Sequence, residues 1–466
     1  MSPVMTVTPF ALRNIRLFIA FRIFFNARFY YPVFTILFLD FGLTIEQFAL
    51  LNTVWAITIV AAEVPSGALA DILGRKYLIV ATSCLMVAEM CILAFIPLGN
   101  GQVIFWAFLV NRVLSGLAEA MASGADEAIA YDSLKAKGLH GGWPEVLSLQ
   151  MRLRSVASII TMTLGALAYD PNVVNRILEW LSLPVVLSQQ TTMRFPIYLT
   201  LILAILALIT ALRLEETPRK KHPGEGFQTL EALRLTVQAG AWIARTPFAL
   251  AVILFGMCYD HVLRMIVTMT SQYFRLIHLP DGSFGIIASA MALLGLFAPK
   301  IAERMAKSNT PLVNIAWLSG ITLLGLFGLS GFFPYFGLLP MALIFVAMLF
   351  VSFFTSHYLN MIADSDQRAT VLSFNGMAFN LAYGLIGFLF AVLMARLRAT
   401  GTVAHPDWEE IAVANAAFQQ AIGWFPWYCL ACLGLTFGYF WLRRRAPGME
   451  LTTTAPGLAD RSRIQG

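Results

Sequence analysis

Long apolar runs separated by short polar or Gly/Pro-rich breaks dominate the chain. A helix that crosses a bilayer needs about 20 predominantly apolar residues, and most of the runs reach that length. Read with the turn signals, they predict twelve spans at about 13–39, 46–70, 77–97, 102–134, 148–169, 195–213, 247–275, 284–304, 312–330, 335–360, 370–395 and 421–442. Several span ends carry turn residues: Leu98-Gly99-Asn100-Gly101, Asp170-Pro171-Asn172, Leu279-Pro280-Asp281-Gly282 and Phe333-Pro334. The first run is too long for a secretory signal and has no small-residue cleavage site, so it is expected to be a retained span.

Composition agrees. Hydrophobic residues make up 58% of the 466 positions and charged residues 12%, against roughly 45–50% and 25% in soluble domains. A water-soluble surface cannot be covered with so few charges. This excludes a soluble enzyme, a disordered chain and a nucleic-acid-binding module, although the net charge is +6. The five cysteines fall inside apolar runs, which argues against a disulfide framework. The Cys429/Cys432 pair has no second pair and no neighbouring His, so no metal is expected there.

The position of each basic residue then orients the helices. Outer segments hold only Arg176, Arg194, Arg275, Arg396 and Arg398, and Arg22, Arg28, Arg112 and Arg264 lie within spans. The other 23 of the 32 Lys and Arg residues fall in segments on the side of the N-terminus. This predicts both termini in the cytoplasm and a multi-pass protein of a bacterial-type inner membrane. The longest inner segment, 215–246, contains Leu230, Leu233, Val237 and Trp242 near helical spacing. It predicts an amphipathic helix lying on the membrane. It also divides the chain into a six-helix bundle over 1–214, a linker, and a second bundle with a tail over 247–466. The halves echo each other: Val146-Leu147-Ser148 and Val371-Leu372-Ser373 are 225 residues apart, and Gly67 and Gly295 are 228 apart. A duplicated membrane unit is a transporter architecture.

The sharpest motif is Gly67-Ala68-Leu69-Ala70-Asp71-Ile72-Leu73-Gly74-Arg75-Lys76, between the second and third spans. Gly67 permits close helix approach and Gly74 a tight turn. Charge alone would make this an ordinary basic loop. The full pattern in a twelve-span chain resembles the signature loop of the major facilitator superfamily, and Glu63-Val64-Pro65-Ser66 before it is similar to members as well. The resemblance implies an all-α membrane fold of two pseudo-symmetric six-helix bundles and a secondary transporter rather than an enzyme. It also implies that the loop helps lock the cytoplasmic side. In that role Asp71 faces the start of the eleventh span near Ala369-Thr370, and Arg75 pairs with Asp132.

A second patch, Arg112-Val113-Leu114-Ser115-Gly116, is similar to the family's R-x-x-x-G element, whose Arg is linked to proton coupling. Arg112 sits near the middle of its span, where a cation needs a cavity or a carboxylate. Glu119 and Asp126 follow at seven-residue steps and are expected on one stripe with it. This trio is the expected coupling site, with a purely structural ion pair as the alternative. Asp366-Gln367-Arg368 resembles the tenth-to-eleventh loop of bacterial members, and the favoured reading of Asp364 and Asp366 is as solvated loop charges.

Other intramembrane polar residues form the expected substrate lining. Arg22, Asn26 and Tyr30 recur at four-residue steps, as do Asp260, Arg264 and Thr268, with His261 adjacent. Asp260 and Arg264 can also cancel each other within the helix. Asn375 and Tyr383 belong to the eleventh span, and Glu89 can face either the bundle or its outer edge. For each group the plainer alternative is a set of satisfied interhelical hydrogen bonds. The aromatic content, 13%, suits a lipophilic or amphipathic organic substrate. The expected function is proton-coupled efflux of such a compound by alternating access, with protons and lipid as partners, no cofactor, and a monomer. The fifth span, Ile159–Ala168, lacks the Gly-Pro-rich motif of drug/proton antiporters. This keeps a proton-coupled importer or a uniporter open, and more remotely a sensor or enzyme on the same scaffold. No phosphate-binding loop and no HExxH or GxSxG motif is present.

Overall fold

The computed structural model describes residues 8–123, 125–216, 228–362 and 368–444. They form helices α1 (Arg13–Asn26), α2 (Phe34–Asp40), α3 (Ile45–Leu73), α4 (Arg75–Phe95), α5 (Gly101–Ala122), α6 (Ala125–Ala136), α7 (Trp143–Tyr169), α8 (Pro171–Trp180), α9 (Gln189–Thr192) and α10 (Phe195–Leu212). Then follow α11 (Gln228–Arg245), α12 (Pro247–Thr268), α13 (Thr270–Leu276), α14 (Phe284–Ser308), α15 (Pro311–Ser330), α16 (Leu338–Ile362), α17 (Arg368–Ala404) and α18 (Glu410–Arg444). Among the described residues, ten segments are long and apolar enough to cross a membrane. The split first span (α1 and α2) and the more charged α7 complete the twelve.

Local chemistry sets the boundaries. The Asn100 side chain accepts from the backbone N–H groups of Gln102 and Val103 at 3.1 and 3.2 Å and starts α5. Asp170 does the same for Asn172 at 2.9 Å, with Pro171 opening α8. Gly74 has φ +103°, in the left-handed region, and turns the chain from α3 into α4.

The contacts divide the chain into two compact units. Unit 1 is Met1–Leu233 with Pro280–Ser289, and unit 2 is Arg234–Leu279 with Ala290–Gly466. In unit 1, α4 packs on α5 and α10, α3 on α5, and α1 on α6, α7 and α10. Ile15, Phe18, Ala130, Leu134 and Val146 form one of its apolar clusters. In unit 2, α12 packs on α16, α17 and α18, and α15 on α16 and α18. Large apolar side chains also face outward, among them Phe95, Trp106, Phe297 and Leu435. That is the expected surface of helices whose solvent is lipid.

Four expectations change. The first span is broken after Asn26, where Ala27 turns to φ −77°, ψ 119° and a short turn holds Pro32. The fourth span is two helices: α5 ends at Ala122, where Ser123 turns to φ −55°, ψ 114°, and α6 starts at Ala125. The outer segments 171–194 and 397–420, which lie between predicted spans, are largely helical: α8 and α9 occupy the first, and extensions of α17 and α18 the second. The described part of α11 does not simply lie on a membrane. Its Ala239 and Ile243 are buried against Ala249, Ile253, Leu359 and Val371 of unit 2, with Trp242 beside them, while Val237 stays exposed.

Candidate functional site

Unit 1 concentrates buried charge. Arg22 reaches from α1 to α6, with Nη1 2.9 Å from Asp126 Oδ2 and Nη2 2.9 Å from Glu127 Oε1. Asp126 is only 1% exposed. A carboxylate so deeply placed needs a cation or a proton, and Arg22 supplies the cation. Asn26 does not join this face, because its amide donates back to the Arg22 carbonyl at 2.7 Å. Tyr30 lies past the end of α1, buried against Tyr31 and Phe34. The four-residue periodicity that grouped it with Arg22 stops at the break after Asn26.

The break itself places a residue for which the periodicity offered no role. Arg28 turns inward and Nη1 meets Glu89 Oε1 of α4 at 3.1 Å, with Glu89 fully buried. Asn111 of α5 donates to the Glu89 backbone carbonyl at 3.0 Å. Its Oδ1 accepts from Nε and Nη2 of Arg112, at 3.1 and 2.8 Å. The Arg112 guanidinium lies over the rings of Phe34 and Phe38, 5.3 and 5.4 Å from their centroids. Asn111 therefore links the buried Arg112 guanidinium to the backbone of Glu89, whose carboxylate pairs with Arg28.

The expected stripe of Arg112, Glu119 and Asp126 does not form. The helix they were to share ends at Ala122, so Asp126 belongs to α6 and to Arg22. Glu119 is exposed, and Arg112 hydrogen-bonds Asn111 instead of it.

At the start of α4, Arg75 is ion-paired with Asp132 of α6. A further carboxylate completes this corner. Glu216 accepts from the backbone N–H of Arg75 at 3.3 Å and of Lys76 at 2.8 Å. Gly74 makes room for it, since a Cβ there would lie 2.9 Å from Glu216 Oε2. Arg13 and Asn14 hold the neighbouring Glu215, by an ion pair at 2.8 Å and by the Glu215 carbonyl at 2.8 Å. Gly67 is open to its surroundings. The Asp71 side chain, Asp364, Asp366 and the side chains of Arg368 and Ala369 lie outside the described residues, as do those of Leu230 and Leu233.

In unit 2, Arg264 Nη2 is 2.7 Å from Asp260 Oδ2 one turn earlier on α12. Nη1 donates to Asn380 Oδ1 at 2.8 Å, and the guanidinium lies 5.3 Å from the Tyr383 ring centroid. Tyr383 OH and Thr268 Oγ1 are 3.1 Å apart. His261 Nδ1 contacts the Met257 carbonyl, so it carries the proton, and Nε2 at 3.1 Å then accepts from Tyr428 OH. The structure thus joins Asp260, Arg264 and Tyr383. His261 is satisfied elsewhere, and the buried Oδ1 of Asn375 has no hydrogen-bond partner.

The model of the Major Facilitator Superfamily matches residues 16–387. The chain belongs to this family: it is a multi-pass membrane transporter, not an enzyme. No curated protein matches the chain. Among solved structures it is similar to a bacterial homolog of the human lysosomal transporter Spinster, at 14% identity, TM-score 0.66, over 94% of this chain and 98% of that one. It is also similar to the nucleoside transporter NupG, at 12% identity, TM-score 0.65, over 91% and 98%. A D-xylose-proton symporter follows at 12% identity, TM-score 0.56, over 91% and 94%. At these identities the likeness is one of fold.

Proposed function

We propose that the chain exports a small amphipathic organic compound across an inner membrane, with both termini cytoplasmic, in exchange for protons by alternating access. The observation that supports coupling most directly is the Arg22–Asp126 pair, in which a carboxylate 1% exposed has its charge balanced from another helix. Protonating Asp126 removes the attraction that ties α1 to α6, so proton uptake and helix movement become one event. Arg112 and the Arg28–Glu89 pair extend the same polar interior, and Glu119, exposed one turn before the end of α5, offers a second protonatable carboxylate. In this reading the Arg75–Asp132 pair, with Glu216 on the start of α4, holds the inner corner of unit 1 closed in one state and releases it in the other.

The test is transport in proteoliposomes under an imposed pH gradient. Asp126→Asn is expected to abolish gradient-driven flux while leaving counterflow exchange of substrate. Gradient-driven flux at the unmodified rate in Asp126→Asn, and also in Glu119→Gln and Arg112→Ala, would remove the coupling assignment. A second reading, proton-coupled import, rests on α7. It runs unbroken over Trp143–Tyr169 with its only proline in the first turn, unlike the fifth helix of drug/proton antiporters. Protons moving with substrate rather than against it would select this reading.

A further inference from the structure

Unit 2 contains a cavity of about 420 Å³ between α12, α15, α16 and α18. One wall is the α12 face Pro247, Ala251, Phe255 and Tyr259, which recur at four-residue steps and so stack on one side of the helix. Twelve residues separate the first from the last, or about 18 Å at 1.5 Å per residue. One leaflet of the hydrocarbon core is about 15 Å deep, half of the whole. Leu318, Phe354 and Phe440 line the opposite side. The tyrosine and asparagine groups in the walls are already engaged with each other or with neighbours. Tyr259 OH is 2.6 Å from Ser319 Oγ, and Asn314 donates to Tyr358 OH at 2.8 Å. What remains is an apolar slot one leaflet long.

Its end is charged. Pro247 follows Arg245 by two residues, and Trp441, also in the lining, precedes Arg443 by two. Arg443 Nη2 donates to the Ala244 carbonyl at 3.4 Å, so the ends of α18 and α11 meet at this mouth. Nη1 donates to Tyr439 OH at 3.0 Å. Among the described residues, neither arginine has a carboxylate partner, and Arg245 is exposed. Two guanidinium groups at the mouth of an apolar slot complement a phosphate joined to an alkyl chain. A soluble anion would leave the slot empty. A zwitterionic lipid would bring its own ammonium group to a mouth that already holds two cations.

We propose that unit 2 binds an anionic phospholipid, with one acyl chain in this cavity and its phosphate on Arg245 and Arg443. Binding would brace the ends of α11, α12 and α18 and make the stability of the transporter depend on membrane charge. The proposal is independent of the substrate and of proton coupling, because its readout is stability and not transport.

The experiment follows thermal unfolding of the purified full chain in detergent during titration with phosphatidylglycerol, phosphatidylcholine or glycerol 3-phosphate. Phosphatidylglycerol is expected to raise the midpoint by roughly 2–4 °C. The other two are expected to give less than half of that rise. Arg245→Ala, at an exposed position, should remove at least half of the rise, and Ala251→Phe, which fills the slot, should remove all of it. Equal rises with phosphatidylcholine, a full rise with glycerol 3-phosphate, or an unchanged rise in Arg245→Ala would each overturn the proposal.

Discussion

The two units handle their charges differently. In unit 1 the ion pairs described above run between separate elements: Arg22 to Asp126 and Glu127, Arg28 to Glu89, Arg75 to Asp132, and Arg13 to Glu215. In unit 2 the described pairs Asp260–Arg264 and Glu303–Lys307 stay within one helix, and Arg398 meets a Glu410 that is mostly exposed. A pair between helices fixes their spacing and is lost when they move. A pair within a helix survives any movement of that helix. The packing of unit 1 therefore depends on ion pairs between elements, whereas the cavity of unit 2 has mainly apolar walls.

The largest predicted effect tests this contrast directly. Glu89→Ala leaves Arg28 buried without its carboxylate, and losing one member of a buried pair costs about 3–5 kcal/mol. Asp260→Ala leaves Arg264 with Asn380 and the Tyr383 ring, so a loss of about 1 kcal/mol is expected. Thermal unfolding in detergent compares the two, and equal losses would mean that the distinction between the units has no energetic content. A middle-sized effect concerns close approach. A Cβ on Gly165 of α7 would collide with the Phe29 backbone carbonyl, whereas one on Gly256 of α12 would meet side-chain atoms of Phe379 and Thr355 at 2.8 and 2.9 Å. Backbone cannot yield as a ring can. Gly165→Ala is expected to cost about 1–3 kcal/mol, and Gly256→Ala clearly less in the same assay.

Hydropathy was enough to find most of the helices, because each must hide its backbone from lipid and so must be long and apolar. It was blind to breaks inside an apolar run. The interruptions after Asn26 and at Ser123 fall within predicted spans, and both re-aim charged side chains. Arg28 was recognisable as a cation within a span, but its partner is 61 positions away on another helix, and only packing brings them together. Asp126 is grouped with Arg112 by seven-residue spacing, which carries helical periodicity across a turn, and the fold pairs it with Arg22 instead. The Arg75–Asp132 contact was implied by a motif; Glu216 had no motif to announce it. A capping carboxylate supplied from 140 residues away leaves no local pattern.

That cap gives the smallest effect and the finest comparison. The start of α4 has four backbone N–H groups without helical partners, and Glu216 covers two of them while placing a negative charge at the positive end of the helix. In unit 2, α15 starts after Thr310, whose side chain makes no capping hydrogen bond. Glu216→Ala should therefore cost about 1 kcal/mol, and Thr310→Ala almost nothing. Glu216→Gln separates the two contributions, because it keeps an acceptor and loses the charge. It is expected to recover about half of the loss at low salt. At 1 M salt, where the Debye length is about 3 Å, Gln and Glu should become nearly equal. A Gln variant as unstable as the Ala variant at every salt concentration would show that the corner depends on charge alone.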